Sequence, residues 1–217
     1  MGRQIKLLYF SSTTILEFGK KHPVDMYTRD LAELGDILTP TPAMGEFFDC
    51  LLNKGKLITQ EEYITYTLNQ WQEWVTGLKS WQKEGIVARL ARNFYPSAID
   101  TIHAWALLVE SGKFKSAVID ILEDAVGKTD LTVEAKNGRK YKIGLSIDNA
   151  YTRRREAYKR TYRGIVPEDL IDIRLSMARN KIGNKRWYEI GDFKPLFEQI
   201  QKEEQPKLSD FICDIGR

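Results

Sequence analysis

Cysteine and histidine are scarce in this chain of 217 residues, with two of each. Cys50 and Cys213 stand far apart, so neither a disulfide framework nor the Cys/His spacing of a zinc site is written here. Two buried free thiols in a reducing cytoplasm are the expectation. No apolar run approaches the roughly 18–20 residues that a membrane helix needs. The opening MGRQIKLLYFSSTTILEF lacks an apolar core followed by small residues, so no secretory leader is read. Lys6 stands where a myristoylation site wants Ser or Thr. Also missing are G-x-x-x-x-G-K-[ST], G-x-G-x-x-G and G-x-S-x-G, which leaves nucleotide hydrolysis, dinucleotide binding and serine-hydrolase chemistry without support. The expectation is a cytoplasmic protein without a membrane segment.

Net charge is only +3, but it is unevenly spread. Between positions 149 and 187 eleven Lys and Arg stand against four acids, a local balance of +7, so the remainder sums to −4. A basic surface on a near-neutral body is the footprint of a polyanion-binding protein. A solvated basic helix is the plainer alternative.

Along the chain, 44–53 predicts a short helix ended by Asn53-Lys54-Gly55. Thr59 and Glu62 have capping-box spacing. A long helical stretch follows, with Tyr63, Tyr66, Leu68, Trp71, Trp74, Leu78 and Trp81 recurring as an apolar core stripe. Pro96-Ser97 is expected to break it and start a helix over 98–111, closed by Gly112. His103 lies among apolar neighbours there and reads as a buried, hydrogen-bonded core histidine, while His22 reads as a loop residue. Strand-like runs occupy 117–122, 130–135 and 140–147. An Arg-rich helix is expected over 151–163, a strand over 170–175, a short strand over 187–190 and a final helix over 193–203. From 97 to 177 the order is therefore α-β-β-β-α-β. A division follows: 1–95 as a mainly helical region for recognition or dimerisation, and 96–217 as an α/β core.

The hairpin within 130–147 can be registered from its polar pattern. A two-residue Asn137-Gly138 turn would put the acids of one strand on the same face as Tyr141 and Ile143. A three-residue loop, Lys136-Asn137-Gly138 with Gly138 left-handed, pairs Ala135 with Arg139 and gathers the apolar residues on one face. Asp130 then lies across from Gly144, and Thr132 across from Lys142. Glu134 opposite Lys140 reads as a surface pair, and Lys142 as a cross-strand partner of Glu134 or Thr132. Taken alone, Asp130 reads equally well as a turn residue bonding nearby amides.

The α-β-β-β-α-β order, with an acid opening the second strand and the hairpin feeding a basic helix, resembles the PD-(D/E)XK nuclease superfamily. The resemblance spans positions 97–177 and implies an α/β, restriction-endonuclease-like core with a helical N-terminal extension. It also implies Mg²⁺ (or Mn²⁺) held by an Asp on the second strand and an (Asp/Glu)-x-Lys on the third, activating water against a phosphodiester. Asp130 matches the first position. The tripeptide at the second is Gly144-Leu145-Ser146, which supplies neither carboxylate nor ammonium. The resemblance offers Glu110 and Asp148 as further metal ligands, and Lys142 or Lys159 as the catalytic amine. A literal match at Asp120 with Glu134-Ala135-Lys136 spans the wrong pair of strands.

On the same resemblance the basic helix borders the cleft, so Arg153, Arg154, Arg155, Arg160 and Arg163 are expected on the DNA backbone, which arginine grips bidentately. Lys185 and Arg186, with Arg179 and Lys181, form a second expected cluster. The function implied is a Mg²⁺-dependent DNA endonuclease or DNA-processing protein. The alternative is a catalytically inactive DNA-binding module of the same fold in a larger complex. Cutting both strands of a duplex ordinarily takes two active sites, which makes a homodimer the simplest assembly. A structural protein whose basic helix meets an acidic partner is a third reading.

Overall fold

A computed structural model describes residues 10–23, 39–119, 129–148 (without the side chains of 147 and 148), 170–176, 181–182 and 185–204. Near the N-terminus, Ser11 caps α1 (Ser12–Lys21), its side chain accepting from Thr14 N–H at 3.1 Å. Helix α2 (Ala43–Lys54) ends as expected, on Gly55 in the left-handed region at φ 64°. The capping box is formed at the start of α3 (Gln60–Gln70). Glu62 N–H donates to Thr59 Oγ1 at 3.2 Å, and Thr59 N–H donates to Glu62 Oε2 at 2.8 Å. That backbone bond, then the amines of Lys56 and Lys54, bring the Glu62 carboxyl down to about 2.

The long helical stretch is interrupted. Helix α4 (Gln72–Thr76) follows Trp71, and a turn at Gly77-Leu78 separates it from α5 (Ser80–Arg89). Tyr63 and Trp71 hold their expected core positions, with Tyr63 O–H on the Ala43 carbonyl at 2.9 Å and Trp71 Nε1–H on Thr41 Oγ1 at 2.8 Å. Trp81 does not: the turn resets the helical phase and leaves it 57% exposed.

Pro96 does not break the chain either. Helix α5 runs through a π turn, Leu90–Phe94, into α6 (Tyr95–Glu110), and Tyr95 N–H bonds to the Leu90 carbonyl five residues back. The widened turn relieves the clash a proline ring makes with the carbonyl of the preceding turn. Ile99, Ile102, Ala106 and Leu108 of α6 are buried, and Trp105 Nε1–H donates to the Ala117 carbonyl at 2.9 Å.

Strand β1 (Phe114–Val118) starts just after Gly112 (φ 62°), earlier than its sequence pattern suggests; the predicted end at 120–122 lies outside the described residues. Strands β2 (Leu131–Ala135), β3 (Lys140–Asp148) and β4 (Leu170–Ser176) complete a four-stranded mixed sheet in the order β1-β2-β3-β4. The first three form an antiparallel meander, and β4 runs parallel to β3. The hairpin has the expected three-residue loop: Ala135 N–H meets the Arg139 carbonyl at 2.8 Å, and Gly138 has φ 84°. Thr132 pairs with Lys142, and Leu131, Val133, Ala135, Tyr141 and Ile143 share the buried face. A parallel neighbour requires a crossover of a dozen residues or more, for which 149–169 is long enough.

Where a short strand is expected over 187–190, the chain instead enters a 3₁₀ turn (Ile190–Phe193) and then α7 (Lys194–Glu204). Phe197 of α7 stacks on Phe114, and Glu203 accepts from Arg139 Nη1 at 2.6 Å and from Tyr141 O–H at 3.0 Å, binding α7 to the hairpin. The chain is thus a mixed α/β fold. Among the described residues, no helix is long and apolar enough to cross a membrane. Cys50 is buried, as expected.

His103 is buried, with its ring edge-to-face on Trp187 at 5.0 Å. Its Nδ1 finds no hydrogen-bond partner among the described residues, unlike the satisfied histidine predicted. Burial first, then the Lys185 charge, push the imidazole down to about 4, against an opposing pull from Glu110. Between the unfolded value of about 6.5 and that folded value, the unfolded chain takes up a proton that the folded chain refuses. Stability should therefore fall by about 3 kcal/mol as pH drops through this window. Urea midpoints across the window, compared with those of His103→Gln, check this: the variant should show a shallower decline.

Candidate functional site

The face of the sheet opposite the buried one is assembled in rows by strand register. Leu131 pairs with Ile143, so the next step outward sets Asp130 beside Gly144, and Gly144 pairs in turn with Asp172 on β4. Two carboxylates therefore flank a residue with no side chain. In the neighbouring row Ser146 pairs with Arg174, and on the other side Lys142 lies between Thr132 and Leu170. A Cβ on Gly144 would stand 3.2 Å from Leu170 Cδ2, a close approach to the tip of a flexible side chain.

Each acid is held by donors from the sheet. Asp130 N–H donates to the Ile143 carbonyl at 2.9 Å, and Asp130 Oδ2 accepts from Leu145 N–H at 2.6 Å. The local turn bond expected as the alternative for Asp130 is not the one seen: the amide it accepts from belongs to Leu145, across the sheet on β3. Asp172 Oδ1 accepts from Ser146 Oγ at 2.9 Å, and its Oδ2 from Arg174 Nε at 2.6 Å. Beneath them Tyr188 is buried and donates its O–H to the Ser146 carbonyl at 3.0 Å. Burial, then the charges of Asp100, Asp130, Asp172 and Asp192, hold its phenol protonated well above the ordinary range.

The predicted residues are distributed unevenly. Lys142 lies on the face of Asp130, one row away, as expected. Glu134 pairs with Lys115 of β1 at 2.7 Å, although Lys140 stands opposite it. Glu110 spends its carboxylate on α1, accepting from Ser12 N–H at 2.7 Å and from the Ser12 hydroxyl. Asp148 closes β3 in register with Ser176, and its side chain lies outside the described residues. Lys159, Arg153, Arg154, Arg155, Arg160, Arg163 and Arg179 also lie outside them.

Lys185 requires a correction. Expected on a DNA-facing surface, it is 3% exposed, ion-paired with Asp100 at 2.6 Å and bonded to the Pro96 carbonyl at 3.2 Å. A lysine so far from water needs a buried carboxylate, and α6 supplies one. Its neighbour Arg186 is half-buried and Lys181 is exposed.

Comparison with known proteins yields no match. That holds for protein-family models, curated proteins and solved structures alike. Chemistry must then be read from the site itself. Among the described residues, no group of three or more His, Cys, Asp or Glu is placed to hold a metal ion. Mg²⁺, however, commonly takes only one or two protein carboxylates, completing its shell with water and substrate phosphate. Asp130 and Asp172 fit that demand in number and in kind.

Asp172 is the residue sequence reasoning missed. Its signal is the alternation in LIDIRLS, with Leu170, Asp172, Arg174 and Ser176 on one face and Ile171, Ile173 and Leu175 on the other. Only the register reveals that Asp172 stands next to Gly144.

Proposed function

We propose that the chain is a Mg²⁺-dependent DNA endonuclease or DNA-processing phosphodiesterase on a restriction-endonuclease-like core. One observation carries the reading: Asp130 and Asp172 flank Gly144 on the polar face of a sheet with an antiparallel meander and a parallel fourth strand. Asp172 stands in for the carboxylate absent at 144, so both acids would hold the ion. Bound magnesium would supply Lewis-acid polarisation of the phosphoryl group and a more acidic water. The protein's part is to aim both acids, which the Leu145 amide does for Asp130 and the Ser146 hydroxyl for Asp172. The basic stretch over 149–187 supports a nucleic-acid substrate.

A second reading, a catalytically silent DNA-binding module, is favoured by Gly144 and Ser146 and by the protein donors already engaging both oxygens of Asp172. Supercoiled plasmid incubated with Mg²⁺ or Mn²⁺ separates the two. Nicking by wild type that falls to background in Asp130→Ala is expected. An intact plasmid in every metal, with duplex DNA still shifted on gels, would leave the binding module standing. Nicking undiminished in Asp130→Ala would remove Asp130 from the site.

A further inference from the structure

We infer that Arg174 grips a backbone phosphate on the polar face of the sheet, and that Asp172 is the residue positioning it. The inference rests on the DNA-binding part of the reading above and not on catalysis. Asp172-Ile173-Arg174 runs parallel to Gly144-Leu145-Ser146 and in register with it. An acid and a cation two positions apart, the spacing wanting on β3, therefore stand on β4 facing the same way.

The network beneath Arg174 is built from the inside outward. Buried Tyr188 fixes the Ser146 carbonyl, the Ser146 hydroxyl donates to Asp172 Oδ1, and Asp172 Oδ2 takes Arg174 Nε–H at 2.6 Å. Exposure rises along that path, and the Arg174 side chain is 40% exposed. An ion pair this open adds little to stability. What it does supply is orientation, because a carboxylate on the Nε edge sets the plane of the guanidinium. Arginine keeps its charge at any working pH, which suits it to a phosphate and unsuits it to act as a base. Lys142 on the same face, together with Arg174, offsets the charges of Asp130 and Asp172, so a phosphate approaching this row is not repelled.

The test is anisotropy of a fluorescein-labelled duplex of about 20 base pairs, titrated in EDTA over a salt series. In metal-free buffer, binding is read apart from cleavage. Arg174→Ala should weaken binding about tenfold and make the log–log salt slope shallower by about one. Arg174→Lys should keep the slope and recover only part of the affinity. Asp172→Asn is the discriminating variant. Removing a negative charge tightens DNA binding if the carboxylate acts only through its field, whereas loss of positioning weakens it. Weaker binding by Asp172→Asn, with an unchanged melting temperature, supports the inference. Tighter binding overturns the role of Asp172, and wild-type affinity and slope in Arg174→Ala overturn the role of Arg174; in both cases the DNA-binding reading stands. If wild type itself binds no duplex at low salt, the reading fails and the inference falls with it.

Discussion

Lys185→Met should destabilise the protein by about 3–5 kcal/mol, a fall in melting temperature on the order of 10 °C. Lys185 and Asp100 are both buried and meet at 2.6 Å. Removing the ammonium strands a carboxylate in a medium that solvates it poorly, and it also takes a donor from the Pro96 carbonyl. Burial already raises the Asp100 carboxyl above its ordinary value despite the lysine beside it. Without that lysine, Asp100 must take up a proton for the fold to persist. The loss should therefore be larger near about pH 8 than near about pH 5, where a neutral carboxyl comes at lower cost. The double variant Lys185→Met with Asp100→Leu should recover most of the stability, because two apolar side chains need no partner. Chemical denaturation of the four proteins in the cycle checks all three statements. A double variant no more stable than Lys185→Met would show that the pair contributes something besides mutual neutralisation.

Gly19→Ala should destabilise by about 2 kcal/mol, although alanine is the better helix former by about 1 kcal/mol. Gly19 lies in α1 against the indole of Trp187, where an added Cβ would come within 2.6 Å of Cη2 and closer still to Cζ2. The ring has little room to give way. Trp187 is buried, its Nε1–H bonds the Ile182 carbonyl at 3.2 Å, and His103 packs edge-on against it. A methyl there must push α1 off the core, and that cost outweighs the gain in helix propensity. Thermal melts should show a fall of about 5 °C. In a Trp187→Phe background the penalty of Gly19→Ala should shrink, since the atoms met by the methyl are gone. An equal penalty in both backgrounds would place the strain elsewhere.

Features that depend on nearby residues were legible before the structure. The Thr59–Glu62 box, the left-handed Gly55 and Gly138 and the register of the 130–147 hairpin each follow from chemistry within a few positions of chain. The helical stretch after Thr59 was legible in kind but not in phase, because the Gly77-Leu78 turn shifts Trp81 away from the line set by Tyr63 and Trp71. Pro96 misled for a related reason: the π turn ahead of it lets one helical run absorb the ring. At the candidate site, Asp130 and its place opposite Gly144 could be read from alternation alone. The alternation in LIDIRLS puts Asp172 on the polar face of its strand, but its place beside Gly144 could not be read, since parallel register joins residues separated by a long crossover.

The sequence by itself settled the locally encoded elements, the apolar and polar faces of the hairpin, and the uneven spread of charge. Tertiary structure decided which polar residues are committed to one another. Glu110 turns to Ser12, Lys185 to Asp100 and Asp172 to Arg174 and Ser146; all but the Asp172–Arg174 contact join partners distant in the chain. The reason is physical: apolar burial is a property of each side chain and shows as periodicity, whereas a charge withdrawn from water needs one specific partner, and only packing brings that partner near.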